Sequence, residues 1–401
     1  MISFFRQVRK YYILTNRLKR AVSILITLHG CFLVSSCRHK LLPGQLDVPN
    51  GVQTGTGGYR IIAPRWSPDG RHIAFLRVAS NRKASVCLLD TKTNQCYPLM
   101  NEELLSPDRI YRSGQFGVDD PAGPVWNPDG NHIAFSRVEW FKINPDESMP
   151  GEGLWVYDLA THKVSSLAVH PEKYDGTLYY YRAPKWSKDG IAFAFLGEGL
   201  HGETALYTRF GPRLDPFYDM PRYDQYADVS RISWSPDGSR LAFRQGVLRT
   251  ITADRVETLR VITPGTNQPP LRLRAPGRIQ SIAWSPDGSM IALSCSSGNP
   301  TLPETHSLYL VTLKDGRLKP MGGNELSGLY APTWVNEHQI ASIRKVNDGY
   351  ELLLESATGG GRRRLCKLPT DDMDWSPDKK QIVCASPKRN SGLLIVSLII
   401  N

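Results

Sequence analysis

Two sets of residues in this chain have the types and spacing to do chemistry. His170, His201 and His306 stand on loop-like stretches, where imidazole nitrogens could converge on a metal ion; solvated loop histidines are the plainer reading. The second set is larger. Four long stretches, about 101 to 121, 140 to 152, 170 to 182 and 211 to 230, interleave aromatic side chains with carboxylates. From them Tyr111, Trp140, Phe141, Tyr174, Tyr179, Tyr180, Tyr181, Phe217, Tyr218, Asp219, Tyr223, Asp224 and Tyr226 are expected to form a binding surface. Aromatic anchors beside charges on loops of a rigid scaffold suit recognition of a protein or a sugar polymer. The chain has no Gly-x-Ser-x-Gly elbow, no His-Glu-x-x-His, no glycine-rich phosphate loop and no paired Cys-x-x-Cys. No catalytic residue, bound metal or cofactor is therefore expected. Cys87 and Cys96 flank one hairpin and would pair if their register agreed, whereas Cys295, Cys366 and Cys384 read as buried strand residues.

What positions these stretches is a repeat. Trp284-Ser285-Pro286-Asp287-Gly288 is followed by the apolar run Met290-Ile291-Ala292-Leu293, and near-copies begin at Arg65, Val125, Lys185, Trp234, Thr333 and Asp374. Trp66, Trp126, Trp186, Trp234, Trp284, Trp334 and Trp375 thereby stand in register. Each copy reads as a strand ending in Trp, a Ser-Pro-Asp-Gly turn in which Gly takes φ > 0, and an unalternated Ile-Ala-Phe strand buried on both faces. A third and a weaker fourth strand follow, as in Ser85 to Leu89 and Gln95 to Leu99. Seven copies at this period predict an all-β, seven-bladed propeller of four-stranded antiparallel blades, with each Trp filling the wedge between neighbours. The last copy lacks a fourth strand, so a segment between about His39 and Val52 is expected to supply it and close the ring. The Ser-Pro-Asp-Gly turns then mark one face of the disc, and the four aromatic stretches fall on the other.

Residues 1–36 differ in composition from the rest. They carry Arg6, Arg9, Lys10, Arg17, Lys19 and Arg20, no acidic residue, and an apolar run from Ala21 to Val34. This reads as a secretory signal. It closes on Leu33-Val34-Ser35-Ser36-Cys37, which resembles the lipobox of bacterial lipoproteins and makes Cys37 the expected lipidation site; Arg38 after it points to the outer membrane. Without the six basic residues the formal charge of +11 falls to +5, so nucleic-acid binding is not indicated. The expected organisation is a signal over 1–36, an anchored linker with the closing strand over 37–58, and the propeller over 59–401.

The Trp-Ser-Pro-Asp-Gly unit, with third strands ending in acidic turns at Asp90 and Asp158, resembles the propeller repeat of TolB and its relatives over about residues 60 to 401. That resemblance implies the propeller; with the lipobox and the aromatic stretches, the expectation is a non-enzymatic, lipid-anchored envelope protein on the periplasmic side of the outer membrane or the cell surface that binds an envelope protein or cell-wall component. A ring with closed sheet edges needs no partner for stability, so a monomer is expected. The chain is also similar in length and repeats to oligogalacturonate lyases, which implies the alternative of a metal-dependent polysaccharide lyase recruiting His170, His201 and His306. The propeller of prolyl-oligopeptidase relatives is similar too, but the stretch carrying their hydrolase chemistry has no counterpart here.

Overall fold

The computed structural model of the chain describes residues 37–41, 59–79, 83–100, 123–144, 147–168, 180–198, 204–210, 227–248, 255–266, 268–296, 306–321, 329–386 and 392–400. The expected targeting segment, 1–36, lies outside them. Among the described residues every regular element is a strand.

The turn of the repeat explains why. In the first copy the Ser67 N–H donates to the His72 carbonyl at 2.8 Å, and the Gly70 N–H donates to the Ser67 carbonyl at 2.9 Å. Closing both bonds leaves Gly70 at φ 69°, a region open to glycine without cost. The Asp69 carboxylate accepts from the Ser67 hydroxyl at 2.6 Å and the Arg71 N–H at 3.0 Å, while the buried Ser67 oxygen accepts the His72 N–H at 2.9 Å. The turn thus satisfies its own polar groups. In the last copy Lys379 occupies the glycine position at φ 59°.

These turns also set an acid limit. The hydroxyls of Ser235 and Ser239 hold the Asp237 carboxyl at about 2, and those of Ser285 and Ser289 do the same for Asp287. Hydrogen bonds from Ser187 and Ser376 lower Asp189 and Asp378 in the same direction. A carboxyl whose folded pKa lies below its unfolded one stabilises the fold above the unfolded value, and that contribution disappears as pH falls through the folded one. The urea midpoint is therefore expected to drop between about pH 4 and about pH 2. In Asp237→Asn/Asp287→Asn the drop should be shallower.

The first copy forms the sheet Arg60–Trp66, His72–Val78, Ala84–Asp90 and Cys96–Pro98, in chain order and antiparallel. Its second strand is buried on both faces, with Ile73, Ala74 and Phe75 at most 1% exposed. The ring does not consist of seven such sheets. Among the described residues there are six, five with four strands and one with seven, so the seven-bladed expectation is corrected to six. The exception joins the copies beginning at Val125 and Lys185. Glu147–Asp158 pairs in parallel with Tyr180–Trp186 through a single residue pair, Tyr180 with Glu152, and this links the two sets of strands into one sheet. The remaining sheets start at Ala227, Arg278, Leu329 and Met373.

Closure uses the N-terminal side of the chain. Cys37–Leu41 pairs antiparallel with Leu393–Leu398, Cys37 opposite Leu398 and Leu41 opposite Leu394, as the fourth strand of the last sheet. It begins two residues before the expected segment. The core is divided into wedges between sheets: Ile61, Trp66, Ile73 and Phe75 of the first sheet pack against Val383, Ala385, Leu393 and Ile395 of the last.

The tryptophans occupy these wedges with a recurring bond. The indole N–H of Trp126 donates to the Arg65 carbonyl, Trp234 to Lys185, Trp284 to Ser233 and Trp334 to Ala283, all at 3.0–3.1 Å. In each case the acceptor is the residue just before the preceding tryptophan. Trp66, Trp186 and Trp375 are held without a partner for this nitrogen.

Two smaller expectations are also corrected. Cys87 sits opposite Pro98 and Cys96 opposite Leu89, two residues out of register, and the two buried cysteines form no disulfide. The stretch 140 to 152, read as an irregular connection, is the continuation of a hairpin. His132–Asn144 and Glu147–Asp158 are 13 and 12 residues long, against 7 in the matching strands of the first sheet. The ribbon extends about 20 Å past the disc on the face opposite the turns.

Candidate functional site

Two positions recur in the chain leading to each tryptophan, one directly before it and one three before it. The first position holds Arg65, Val125, Lys185, Ser233, Ala283, Thr333 and Asp374; the second holds Ala63, Gly123, Ala183, Arg231, Ser281, Ala331 and Asp372. At the second position the chain is bulged. Ladder pairing shifts there, and Ala63, Ala183, Arg231 and Ala331 adopt φ of 51°, 53°, 59° and 49°. Space is tight at this level, since a Cβ on Gly123 would lie 2.4 Å from that of Ala63.

Where the last sheet meets the first, carboxylates replace those small residues and stitch the seam. The Ala63 N–H donates to Asp372 Oδ2 and the Trp66 N–H to Asp374 Oδ2, both at 2.8 Å. Burial pushes both carboxyls up, against the pull of the Arg65 guanidinium. Next to them the Tyr330 hydroxyl donates to Asp371 Oδ2 at 3.2 Å, and burial raises that phenol further. Arg231, Lys185 and Lys188 line one cavity together.

Two cavities open here. One of about 440 Å³ is bounded by Arg65, Lys185, Thr333, Asp374 and the turn residues Pro68, Pro128 and Pro377. Its neighbour, about 370 Å³, is bounded by Lys185, Lys188, Arg231, Ser233 and Pro236. The turn prolines in both show that they open on the Ser-Pro-Asp-Gly face. Reading the sequence for long loops directs attention to the other face and misses them.

Of the expected binding surface, Tyr111, Tyr174, Tyr179, Phe217, Tyr218, Asp219, Tyr223, Asp224 and Tyr226 lie outside the described residues. Trp140 and Phe141 are on the hairpin ribbon, paired in register with Pro150 and Met149. Tyr180 starts its strand and makes the parallel pair, and Tyr181 packs edge-on against Phe195 at 5.5 Å, in the core between sheets. Those four therefore belong to regular structure.

His170 and His201 also lie outside the described residues. His306 begins the strand His306–Thr312 and its ring meets that of Tyr330 at 5.5 Å. Among the described residues no three His, Cys, Asp or Glu side chains gather as a metal set. His72 and His132, matched in the repeat, approach the matched acidic turns at Asp90 and Asp158, each at 3.9 Å. Arg362 and Arg364, from the basic triplet near the C-terminus, are paired with Glu355 and Glu351 at 2.7 and 3.0 Å.

Comparison with known proteins agrees with this architecture. The family described as WD domain, G-beta repeat matches residues 268–299, one repeat centred on Trp284. No curated protein matches the sequence. Among solved structures, the chain is similar to the β-propeller domain of the Trilobed protease from Pyrococcus furiosus, with TM-score 0.57, 13% identity, and coverage of 86% of this chain and 96% of that one. It is similar to oligogalacturonate lyase from Vibrio parahaemolyticus, with TM-score 0.55, 13% identity, and coverage of 90% and 96%. TolB from Acinetobacter baumannii is a further match, with TM-score 0.42, 18% identity, and coverage of 76% of this chain and 62% of that one. At these identities the likeness to the first two speaks for the propeller fold alone.

Proposed function

We propose that this chain is a non-enzymatic, lipid-anchored protein of the bacterial cell envelope. Its propeller is a rigid recognition scaffold for an envelope protein or cell-wall component. The observation that carries the reading is the position of Cys37. It opens the closing strand itself, opposite Leu398, whose N–H donates to the carbonyl of Lys380 in the last Ser-Pro-Asp turn. A diacylglycerol on Cys37 would therefore leave from the turn face with almost no linker and hold that face toward the membrane. The opposite face, where the ribbon bearing Trp140 and Phe141 projects and the strands starting at Tyr180 and Ala227 enter the ring, is left free for a partner.

Two measurements on the full chain test this. Metabolic labelling with palmitate should mark the parent and not Cys37→Ser, and the variant should leave the membrane fraction. Crosslinking in envelope extract should capture a partner that is lost in Tyr179→Ser/Tyr180→Ser/Tyr218→Ser/Tyr223→Ser while thermal melting is unchanged. Label retained on Cys37→Ser overturns the anchor. Identical capture by both proteins overturns the recognition face.

A further inference from the structure

We propose that Arg231 is the centre of an anion site in the cavity it lines with Lys185 and Lys188, built to take a phosphate group entering from the turn face. The side chain is 5% exposed, yet its Nε and Nη1 have no hydrogen-bond partner. A guanidinium has five donors and no way of shedding its charge, so leaving two of its nitrogens unpaired in the interior is costly. Its backbone is strained as well. The equivalent residues at φ 51°, 53° and 49° are Ala63, Ala183 and Ala331, so the repeat's own solution at this left-handed bulge is the smallest chiral side chain. A long cation in that place departs from the repeat in size, charge and hydrogen bonding together. Departures of this kind, uncompensated within the fold, mark functional positions.

The surroundings identify the ligand. Arg231 lines the cavity of about 370 Å³ with Lys185 and Lys188, and among the described residues no carboxylate bounds that cavity. The turn carboxylates closest in sequence, Asp189 and Asp237, are occupied by the hydroxyls of Ser187 and of Ser235 and Ser239. Among the described side chains of this sheet the buried ionisable ones are Arg231, Arg244, Arg260 and Glu257, and Glu257 is committed to Arg244 at 2.7 Å. Three cations around one open cavity favour a group carrying more than one negative charge. Such a group can bridge a guanidinium and ammonium groups with charge-assisted hydrogen bonds. The phosphate could belong to a soluble ligand or to a phospholipid headgroup, and the site does not depend on the anchor.

The test uses the full chain in detergent, titrated calorimetrically with inorganic phosphate in phosphate-free buffer. The parent should bind one equivalent, and Arg231→Ala should bind at least about tenfold more weakly, the loss of a hydrogen bond to a charged group. Because alanine is the repeat's own residue at this bulge, Arg231→Ala should melt at or above the parent's temperature without phosphate. Loss of binding with gain of stability is a pair of results that a merely structural arginine does not give. In a second arm Cys37→Ser, with and without Arg231→Ala, is floated on vesicles of phosphatidylglycerol or of phosphatidylcholine. An Arg231-dependent preference for the anionic vesicles assigns the phosphate to lipid, and phosphate binding without that preference assigns it to a soluble ligand. Equal phosphate binding by parent and Arg231→Ala, a lower melting temperature for the variant, or a parent that binds neither phosphate nor anionic vesicles overturns the site.

Discussion

Replacing Trp284 with Ala is expected to lower the unfolding free energy by about 3–5 kcal/mol, the range for truncating a buried indole. Trp284 is 7% exposed and lies in a wedge with Ile279, Ile282, Ile291 and Val311 of its own sheet and Ala242, Leu259 and Val261 of the sheet before it. Its indole N–H holds the Ser233 carbonyl across that wedge at 3.0 Å, and the Arg240 guanidinium covers the ring at 5.0 Å while bonding the Gly288 carbonyl. Truncation removes apolar contact with two sheets at once and strands a carbonyl at the join. The subtler variant separates these contributions. Trp284→Phe keeps most of the ring but loses the bond, whereas Trp66→Phe has no such bond to lose. The first is expected to cost about 1 kcal/mol more than the second, by the net worth of one hydrogen bond. Urea denaturation of the three variants checks both values; equal costs for the two phenylalanine variants would show that the interblade bond adds nothing.

Much of this architecture is legible because the repeat writes the same physics several times. Tryptophan, serine, aspartate and glycine recur at fixed offsets, and each meets the need its chemistry suggests: Ser67 and Asp69 close the turn and Gly70 takes the positive φ. Strand closure at the chain's start follows from a last copy that ends one strand short. What could not be read depends on single contacts outside the repeat. One backbone pair, Tyr180 with Glu152, decides that two copies share a sheet, and no residue type encodes it. The ribbon was hidden by its own composition: Pro150 and Gly151 suggest a loop, yet Pro150 lies opposite Trp140 in an extended edge. Arg231 left a clear signal that reading along the chain passes over. Read down the repeat, the position three before tryptophan is alanine in three copies, and only there does a large cation break the column.

Arg244→Met is the other substitution with a large expected effect, about 3–5 kcal/mol, because it would leave an uncompensated charge inside a sheet. Arg244 and Glu257 form two parallel bonds, Nε to Oε2 at 2.7 Å and Nη2 to Oε1 at 3.1 Å, and the third guanidinium nitrogen donates to Ser230 Oγ at 2.7 Å. The two side chains are 3% and 5% exposed, so water cannot replace either partner. The same burial means that bringing both charges into the interior costs nearly as much as their attraction returns. Arg244→Met/Glu257→Leu is therefore expected to lie within about 1 kcal/mol of the parent, although Arg244→Met alone is severely destabilised. Chemical denaturation of the parent, both single variants and the double variant gives the coupling directly. If the double variant is as unstable as Arg244→Met, the pair is a net source of stability. If it recovers, the pair acts to fix one arrangement of Ser230 beside Arg231, since hydrogen bonds to a buried guanidinium tolerate little displacement of that strand while apolar contacts tolerate more.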